Sequence, residues 1–244
     1  MIALAPICPE LSIIIPTLYE GDHILSLLDH LTTLAEDIPY EVIVVDGDPK
    51  GSTLQYLPTE VHGILAQLGR GSQMNAGARL AQAPVLLFLH ADARLPQHAF
   101  TQIQTALKLA PAGAFDLGIN SSRLTLQWMS RIASWRSRLT RIPYGDQAIF
   151  IQRATFIALG GFPNIPIMED VVLMQKLKQH KIPICILGDR VLVSARRWEQ
   201  EGILACTLRN WTILGLYYLG VKPHQLHKWY RPHPNPKQEG NEST

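Results

Sequence analysis

Short apolar runs alternate with helical patterns through the first half of this chain. Residues 11–15, 41–45 and 84–89 predict buried strands, and residues 61–66 are a candidate for one more. Between the first two runs, apolar residues at helical spacing over residues 24–34 predict an amphipathic helix. Strands that alternate with helices in this way are typical of βαβ units, so we expect an α/β fold with a mostly parallel sheet.

Capping residues and periodicity predict the remaining elements. Ser72 is expected to cap a helix over residues 73–82, and Pro96 to begin a helix that ends near Leu109. The second half of the chain is less regular. Its expected elements are helices over residues 124–139 and 169–180, and strands over residues 112–119, 147–151, 183–187 and 191–194.

The composition fits a folded domain and disfavours some classes of protein. The 244 residues are 47% hydrophobic and 17% charged, which is enough for a sizeable core. A net charge of +2 gives no broad positive field for nucleic acid. The three cysteines are far apart in the sequence, which argues against a metal or disulfide framework and favours a reducing compartment. No basic segment precedes the first apolar residues, so we expect no signal peptide and a cytoplasmic protein.

The sequence predicts one domain over residues 1–222, followed by a tail over residues 223–244 that is first basic and then disordered. Residues 203–221 are apolar, but Arg209 and Asn210 lie at their centre, which argues against a membrane-spanning helix. Basic and aromatic residues follow, a pattern that suits peripheral contact of residues 203–231 with a bilayer surface. A helix packed on the domain and followed by a basic tail is an equally good interpretation.

A histidine and a carboxylate follow the apolar run at residues 84–89, in the order His90-Ala91-Asp92. Ligands of open α/β sheets bind beyond the carboxyl ends of the strands. One aspartate can hold Mg²⁺ or Mn²⁺ there, because substrate phosphates and water supply the other oxygen ligands. The alternative is that His90 is a core histidine and Asp92 caps the next helix.

Other polar groups follow the strands at the same expected edge. Thr17 and Glu20 come after the first strand and Asp46 after the second, where a base or a ribose could accept or donate hydrogen bonds. Their alternatives are an ordinary loop and a turn aspartate. The loop around Arg70 is flanked by glycines and opens a helix, which favours a phosphate. Its alternative is a helix start with small residues for close packing.

An acidic pair, Glu169-Asp170, opens the helix expected at residues 169–180. The positive end of the helix stabilises a carboxylate, so Asp170 is a modest base unless burial or Glu169 raises its pKa. The alternative is simple compensation of the helix dipole. The basic and aromatic segment at residues 196–198 could bind a diphosphate or an acceptor, or else be a surface turn.

The order of these motifs resembles that of the family 2 glycosyltransferases of the GT-A fold over nearly the whole chain. The chain is most similar to a small bacterial subgroup with Gln-Met-Asn-Ala-Gly, Phe-Leu-His-Ala-Asp, Tyr-Gly-Asp-Gln-Ala and Ser-Ala-Arg-Arg-Trp segments. The resemblance implies one Rossmann-like GT-A domain with a mixed, mostly parallel sheet. It also implies a nucleotide-binding half over about residues 10–110, an acceptor half over about 111–222, and an inverting, metal-dependent sugar transfer.

The resemblance implies roles for the residues at matching positions. Asp92 would bind Mn²⁺ or Mg²⁺ on the donor diphosphate, and Asp170, with Glu169 beside it, would be the catalytic base. The donor is expected to be a nucleotide sugar, with a UDP-sugar favoured. The acceptor is not identified, and a lipid-linked molecule is one candidate for it. Donor contacts are implied for Thr17, Glu20, Asp46, Arg70, Asn75, His90, Arg196, Arg197 and Trp198, and acceptor contacts for Tyr144, Asp146 and Gln147.

The chain departs from the family pattern at three sites. Leu18 and Tyr19 replace the usual Tyr-Asn after the first strand. His90 replaces the first aspartate of Asp-x-Asp, and residues 48–51 replace the usual Gly-Ser-x-Asp after Asp46. Two other functions therefore remain as alternatives. A nucleotidyltransferase of GT-A-like architecture is disfavoured because residues 16–21 contain no Lys or Arg. A degenerate transferase that only binds a nucleotide or a partner is the other.

Overall fold

A computed structural model describes residues 8–34 and 37–230, apart from the side chain of Asp22. Its strands are β1 (Leu11–Thr17), β2 (Tyr40–Asp46), β3 (His62–Leu65), β4 (Val85–Phe88), β5 (Ala93–Arg94), β6 (Ala112–Asn120), β7 (Phe150–Gln152) and β8 (Ile184–Ser194). Its helices are α1 (Gly21–Thr33), α2 (Arg70–Leu80), α3 (Ala99–Leu107), α4 (Leu124–Thr140), α5 (Arg153–Ala158), α6 (Glu169–Gln179), α7 (Arg196–Glu201), α8 (Ile203–Tyr218) and α9 (Pro223–Leu226). Turns of 3-10 helix cover Leu54–Tyr56, Gly145–Gln147 and His227–Trp229.

The strands form one sheet in the order β3-β2-β1-β4-β7-β6-β8-β5. The first four strands of this order are parallel, β7 runs antiparallel between β4 and β6, and β8 is parallel to β6. The predicted α/β fold with a mixed, mostly parallel sheet is therefore confirmed. Because Thr17 pairs with Asp46 in register, the carboxyl ends of β1 and β2 lie side by side.

The core lies on both faces of the sheet because successive residues of a strand point to opposite sides. Ile13 and Ile15 pack with residues of α1 and α3, while Ile14 packs with residues of α2 and α6. Helix α2 approaches β1 so closely that a Cβ added at Gly77 would lie 2.5 Å from Cγ2 of Ile14. A glycine is needed at this point for the helix to reach the sheet.

Several predicted boundaries differ from the structure. Helix α2 begins at Arg70 and not after Ser72, because Gly69 adopts a φ of 135° that only glycine reaches readily and turns the chain into the helix earlier. Helix α3 begins at Ala99, after His98 in a left-handed conformation, and not at Pro96. The two strands expected at residues 183–187 and 191–194 are one strand, β8, because β6 pairs with both parts of it across an irregularity.

Helix α4 has the predicted apolar stripe, but the stripe faces solvent. The opposite side, with Leu126, Ser130, Ser134 and Ser137, is buried against the domain. The Ser134 hydroxyl donates to the carbonyl of Leu117 and accepts from its N–H, which fastens α4 to β6. The exposed stripe consists of Leu124, Trp128, Ile132, Trp135 and Leu139.

The end of the described chain packs on the domain. Leu226 of α9 is buried with Ile167 and Ile213, and Tyr230 packs against this small cluster. Part of the segment expected to be a basic tail therefore contacts the domain, whereas the predicted disorder of residues 232–244 lies outside the described residues. In the part of the chain that is described, none of the helices combines the length and the hydropathy needed to cross a bilayer.

Candidate functional site

The candidate site lies at the edge of the sheet where β1, β2 and β4 end. Gly145 lies between the two parts of this site, the residues after β4 and the first residues of α6. The Gly145 N–H donates to Oδ2 of Asp170 at 2.6 Å, and a Cβ added at Gly145 would lie 3.4 Å from Nε2 of His90. The end of β4 and the start of α6 therefore meet at this glycine, where an added Cβ would press on both Asp170 and His90.

Asp92 follows β4 at this edge of the sheet. Helix α3 begins well after it, at Ala99, with His98 as the capping residue, so the helix-cap interpretation of Asp92 is excluded. Asp92 lines a cavity of about 260 Å³ together with His23, Arg94 and Arg196. An aspartate that is not needed for capping and that faces a polar cavity is available to a ligand.

Several carboxylates are gathered around Asp92. Burial raises the pKa of Glu20 to about 7, against the opposing pull of Arg196 and with a further contribution from Asp92. Burial also raises the pKa of Asp146 to about 6, and the charges of Asp170 and Asp92 add to this rise. Burial thus disfavours the charged forms of these carboxylates, and a bound cation would favour them.

Among the described residues, no group of three or more His, Cys, Asp or Glu side chains is arranged to hold a metal ion alone. Oδ1 of Asp146 is buried and has no hydrogen-bond partner. The donor set thus fits a hard divalent cation that Asp92 holds with the help of oxygens from another molecule, since Mg²⁺ often takes only one or two protein carboxylates.

Asp170 is held in a fixed position at the start of α6. Its Oδ2 accepts the hydrogen bond from Gly145, and its Oδ1 accepts a hydrogen bond of 2.7 Å from the Val171 N–H. The side chain is half-buried. A carboxylate that two backbone donors orient, half-buried beside His90 and Gly145, is a candidate for a general base.

Glu169 has a different environment from its neighbour. Its side chain is buried, and Oε1 lies 3.0 Å from Nε of Arg70. Burial raises the pKa of Glu169, while Arg70 opposes the rise and Asp170 adds to it. Glu169 therefore anchors Arg70 at the start of α2. It orients the guanidinium group that is predicted to contact the phosphates of the donor.

The basic and aromatic segment at the start of α7 is half-buried, so it is not the surface turn of the alternative interpretation. The Nη1 of Arg196 lies 2.7 Å from Nε2 of His23, and Nη2 lies 3.8 Å from Oε1 of Glu20. Arg197 pairs with Glu201. Trp198 packs against the core on the α1 side of the sheet, and its buried Nε1 has no hydrogen-bond partner.

Tyr230 extends the cluster of basic side chains. Its ring lies 4.2 Å from Cζ of Arg197 and 6.0 Å from Cζ of Arg70, and its hydroxyl accepts a hydrogen bond from Arg197. Cation–π contacts of this kind hold guanidinium groups in place while leaving their N–H donors usable. The last described residue of the chain therefore contributes to the site.

Three of the predicted donor residues have backbone partners. Asp46 is fully buried, and its carboxylate accepts hydrogen bonds from the N–H groups of Asp48 and Thr53 at 2.9 and 2.7 Å. The Thr17 hydroxyl is buried and donates to the carbonyl of Val45. The side chain of Asn75 bonds to both the N–H and the carbonyl of Phe162. These contacts shape the loops around the site.

The segment with Tyr144 and Gln147 forms another wall of the site. Gln147 is buried, accepting from the Ser137 hydroxyl and donating to the carbonyl of Phe115. Burial raises the pKa of Tyr144 well above its usual range, and its ring stacks 3.5 Å from Cζ of Arg136. Gln147 therefore positions the turn that carries Tyr144 and Asp146.

Sequence reasoning did not assign His23, Arg136, Tyr230 or Gln73 to the site, although Gln73 opens the Gln-Met-Asn-Ala-Gly segment. The Gln73 side chain is buried and donates to the carbonyls of Thr17 and Val45, so it fastens α2 to the ends of β1 and β2. Its signal was a glutamine next to an apolar helix face, which periodicity alone assigns to the surface. The other three come from helices or turns distant in sequence, and no local pattern connects them with the site.

Comparisons with known proteins agree with this architecture. The profile of Glycosyl transferase family 2 matches residues 12–162. No curated protein matches the chain.

Among solved structures, S. aureus TarS 1-349 in complex with UDP-GlcNAc is 19% identical, with a TM-score of 0.57 over 76% of this chain and 58% of that chain. The mannosyltransferase PcManGT from Pyrobaculum calidifontis, in complex with GDP-Man and Mn²⁺, is 20% identical, with a TM-score of 0.59 over 78% of this chain and 57% of that chain. The chain spans less than two thirds of the length of these structures. At this identity the likeness concerns the fold.

Proposed function

Because this chain belongs to the family 2 glycosyltransferases, we propose that it transfers a sugar from a nucleotide-diphosphate donor to an acceptor hydroxyl, with inversion at the anomeric carbon. The observation that carries this proposal is the meeting of the β4 end and the α6 start at Gly145, which brings Asp170 to the site of Asp92 and His90. Inverting transfer needs a base for the acceptor and a binding site for the departing diphosphate. Asp170 is the proposed base, and the cavity beside Asp92 is the proposed binding site for the diphosphate.

The donor diphosphate fits the cavity beside Asp92. This cavity is also lined by Arg94 and Arg196, whose guanidinium groups suit phosphate oxygens. Glu20 fixes Arg196 at the cavity from the α1 side. The buried carboxylate of Asp46 supports the loop at residues 48–53, so we expect the nucleoside to contact that loop more than Asp46 itself.

A divalent cation on Asp92, Mn²⁺ or Mg²⁺, would supply charge stabilisation for the leaving diphosphate. The excess of carboxylates around Asp92 supports such a cation, as does the Mn²⁺ in the complex of the mannosyltransferase. His90, in place of a second acid, adds a neutral or positive group. We therefore expect weaker metal affinity than two carboxylates would give.

Asp170 takes the proton of the acceptor hydroxyl as its oxygen attacks the anomeric carbon. The Gly145 and Val171 N–H groups hold the carboxylate in place, and Tyr144 and Asp146 border the space in which the acceptor lies. Positioning of the two reactants by these walls accounts for much of the expected rate acceleration.

Donor hydrolysis and transfer should be measured with UDP-, GDP- and dTDP-sugars in the presence of Mn²⁺ or Mg²⁺. A UDP-sugar is the favoured donor, although the similar structures hold both UDP-GlcNAc and GDP-Man. The variant Asp170→Asn should lose at least about 100-fold in kcat and keep donor affinity. Asp37→Asn, which changes an exposed aspartate before β2, is the matched control and should keep both.

Native turnover by Asp170→Asn would exclude Asp170 as the base. Release of pyrophosphate from a nucleoside triphosphate would instead indicate a nucleotidyltransferase. If calorimetry detects no nucleotide binding with Mn²⁺, the chain is a degenerate member of its family.

A further inference from the structure

Two neighbouring helices of the domain expose large apolar side chains to solvent. On α4 the exposed side chains recur at helical spacing and include Trp128, 60% exposed, and Trp135, 66% exposed. On α8 they include Leu208, 70% exposed, and Trp211, 66% exposed. A monomeric protein seldom exposes many large apolar residues together, and such patches mark contact with a partner or a membrane.

The two exposed stripes belong to one surface. The Thr207 hydroxyl of α8 lies 3.5 Å from Sδ of Met129 on α4, and Ile203 packs in the same cluster as Met129 and Ala133. On α4, Ile132 lies three positions after Met129 and shares a side of the helix with it. On α8, Leu204 and Trp211 lie three and four positions from Thr207, so part of each exposed stripe flanks this contact. We call this surface the α4–α8 face. It consists of Leu124, Trp128, Ile132, Trp135 and Leu139 of α4 with Leu204, Leu208, Trp211 and Tyr218 of α8.

The two helices of the α4–α8 face carry basic side chains and no acidic ones, and only Arg138 and Arg209 among the described arginines of these helices form ion pairs, with Asp116 and Glu201. Residues 123–141 and 202–231 contain no aspartate or glutamate but several arginines and lysines. Arg123 and Arg131 are exposed at α4, Lys222 and Lys228 are exposed beyond α8, and Cζ of Arg131 lies 5.4 Å from the ring centre of Trp128. Tryptophan beside arginine is typical of a side-chain layer at the boundary of hydrocarbon and lipid phosphates.

We propose that the α4–α8 face docks on the surface of an anionic phospholipid bilayer, with the helices lying in the plane of the interface. Each exposed tryptophan and leucine adds apolar area for insertion at the headgroup level, and each nearby cation gains attraction from anionic lipid. A second copy of the chain fits less well, since a symmetric contact would set this basic surface against itself without any acidic partner.

Docking would bring the bilayer next to the candidate site. Helix α8 packs through Ile213 on Ile167 and on Met168, which directly precedes the Glu169-Asp170 pair. This placement favours a hydroxyl group carried by a membrane lipid as the acceptor. The choice of acceptor rests on the proposed function. Docking itself does not depend on it.

The docking is tested by flotation of the full chain with vesicles of phosphatidylcholine alone or mixed with phosphatidylglycerol. The chain should float with the mixed vesicles, and the double variant Trp128→Gln/Trp211→Gln should bind them about 10-fold more weakly or worse. The matched control is Leu109→Gln/Leu80→Gln, which changes residues that are 78% and 50% exposed outside this face and should bind like the native chain. Arg123→Gln/Arg131→Gln should bind about 10- to 30-fold more weakly, with a smaller dependence on salt.

The proposal is overturned if the native chain does not float, or if the tryptophan variant and the control float equally well. It is also overturned if sedimentation velocity shows a dimer that only the tryptophan variant dissociates, because the face would then join two copies. All of these side chains are exposed, so each variant is expected to fold, and circular dichroism checks this.

Enzymatic measurements separate this proposal from the proposed function. Donor hydrolysis in solution should be equal in the tryptophan variant and the native chain, whereas transfer of labelled sugar into lipid-extract vesicles should fall with vesicle binding. A chain that floats but hydrolyses no donor would retain the docking and refute the proposed function. Label that enters lipid equally with both proteins would refute the docking as the route to the acceptor.

Discussion

The ion pair between Arg70 and Glu169 makes a quantitative prediction about stability. Replacing Arg70 by methionine keeps the length of the side chain but removes the charge that opposes the burial of Glu169. We expect the free energy of unfolding to fall at neutral pH, because the variant buries a carboxylate without its partner. The assay needs no donor or metal, so it tests the structure independently of the reaction.

The geometry gives the size of the effect. At the 3.0 Å separation of Arg70 Nε and Glu169 Oε1, the Coulomb energy is roughly 5 kcal/mol at an effective dielectric constant of 20 and roughly 1.4 kcal/mol in water. Glu169 has a side chain only 4% exposed, but that of Arg70 is 40% exposed, so solvent screens part of the attraction. We expect Arg70→Met to lower the free energy of unfolding by about 2–3 kcal/mol at pH 7.

The loss should depend on pH. The folded-state pKa of Glu169 is already above its usual value of 4.5, and removing Arg70 raises it further. A carboxyl group with a raised folded pKa binds protons more strongly in the folded state, so its destabilising effect is absent well below pH 4.5, grows as the pH rises from 4.5 towards the folded pKa, and is constant above that pKa. The native chain and Arg70→Met should therefore be nearly equal in stability at pH 4 and diverge towards pH 7.

Urea denaturation followed by circular dichroism at pH 4 and pH 7 measures this difference. Arg79→Met is the matched control, because Arg79 lies on the same helix and is exposed. The double variant Arg70→Met/Glu169→Gln should recover part of the loss and should not show the pH dependence. If Arg70→Met is as stable as Arg79→Met at both pH values, the reasoning about this buried pair is wrong.

Three further perturbations test the surroundings of the site. Asn75→Ala removes both hydrogen bonds to Phe162 and should cost about 1–3 kcal/mol in urea denaturation, whereas an unchanged midpoint would show that these bonds contribute nothing. Gly113→Ala places a methyl group against the carbonyl oxygen of Cys185 and the Phe150 ring, and should lower the melting temperature markedly, by the equivalent of about 2–3 kcal/mol; a native melting temperature would contradict the packing of β6 between β7 and β8. Asp146→Asn removes a carboxyl group whose pKa is raised from 3.8 to about 6. The free energy of unfolding of the native chain should fall as the pH rises through that interval, and this fall should be smaller in the variant by roughly 1–2 kcal/mol. An identical pH profile of the two proteins would refute the raised pKa.

The sheet could be predicted from the sequence because its strands are nearly continuous apolar runs. Residues 11–15 and 41–45 are buried on both faces, and such runs have few other ways to fold when helical stripes separate them. The boundaries were less predictable. Gly69 and His98 set the starts of α2 and α3 through left-handed or unusual dihedrals, which a pattern of caps does not reveal.

The site was predictable in its order but not in its contacts. Asp46 follows a strand at the correct edge, yet its carboxylate is closed off by N–H groups at Asp48 and Thr53, and only the path of the following loop decides this. Tyr230 lies far along the sequence from Arg70 and Arg197. Its contact with them depends on how α8 and α9 lead the chain back to the sheet.

The orientation of α4 shows most clearly why periodicity has a limit. A helical period tells which residues share a face, but not which face is buried. The buried face of α4 carries serines whose hydroxyls donate to carbonyls of the same helix, as Ser130 does to Gln127, Ser134 to Ser130 and Ser137 to Ala133. Because these carbonyls, together with Leu117 and Gln147 outside the helix, satisfy the hydroxyls, the small residues can lie against β6 at little cost and the helix can approach closely. The larger apolar residues are then left on the outer face, where only another surface, and not the core, can cover them.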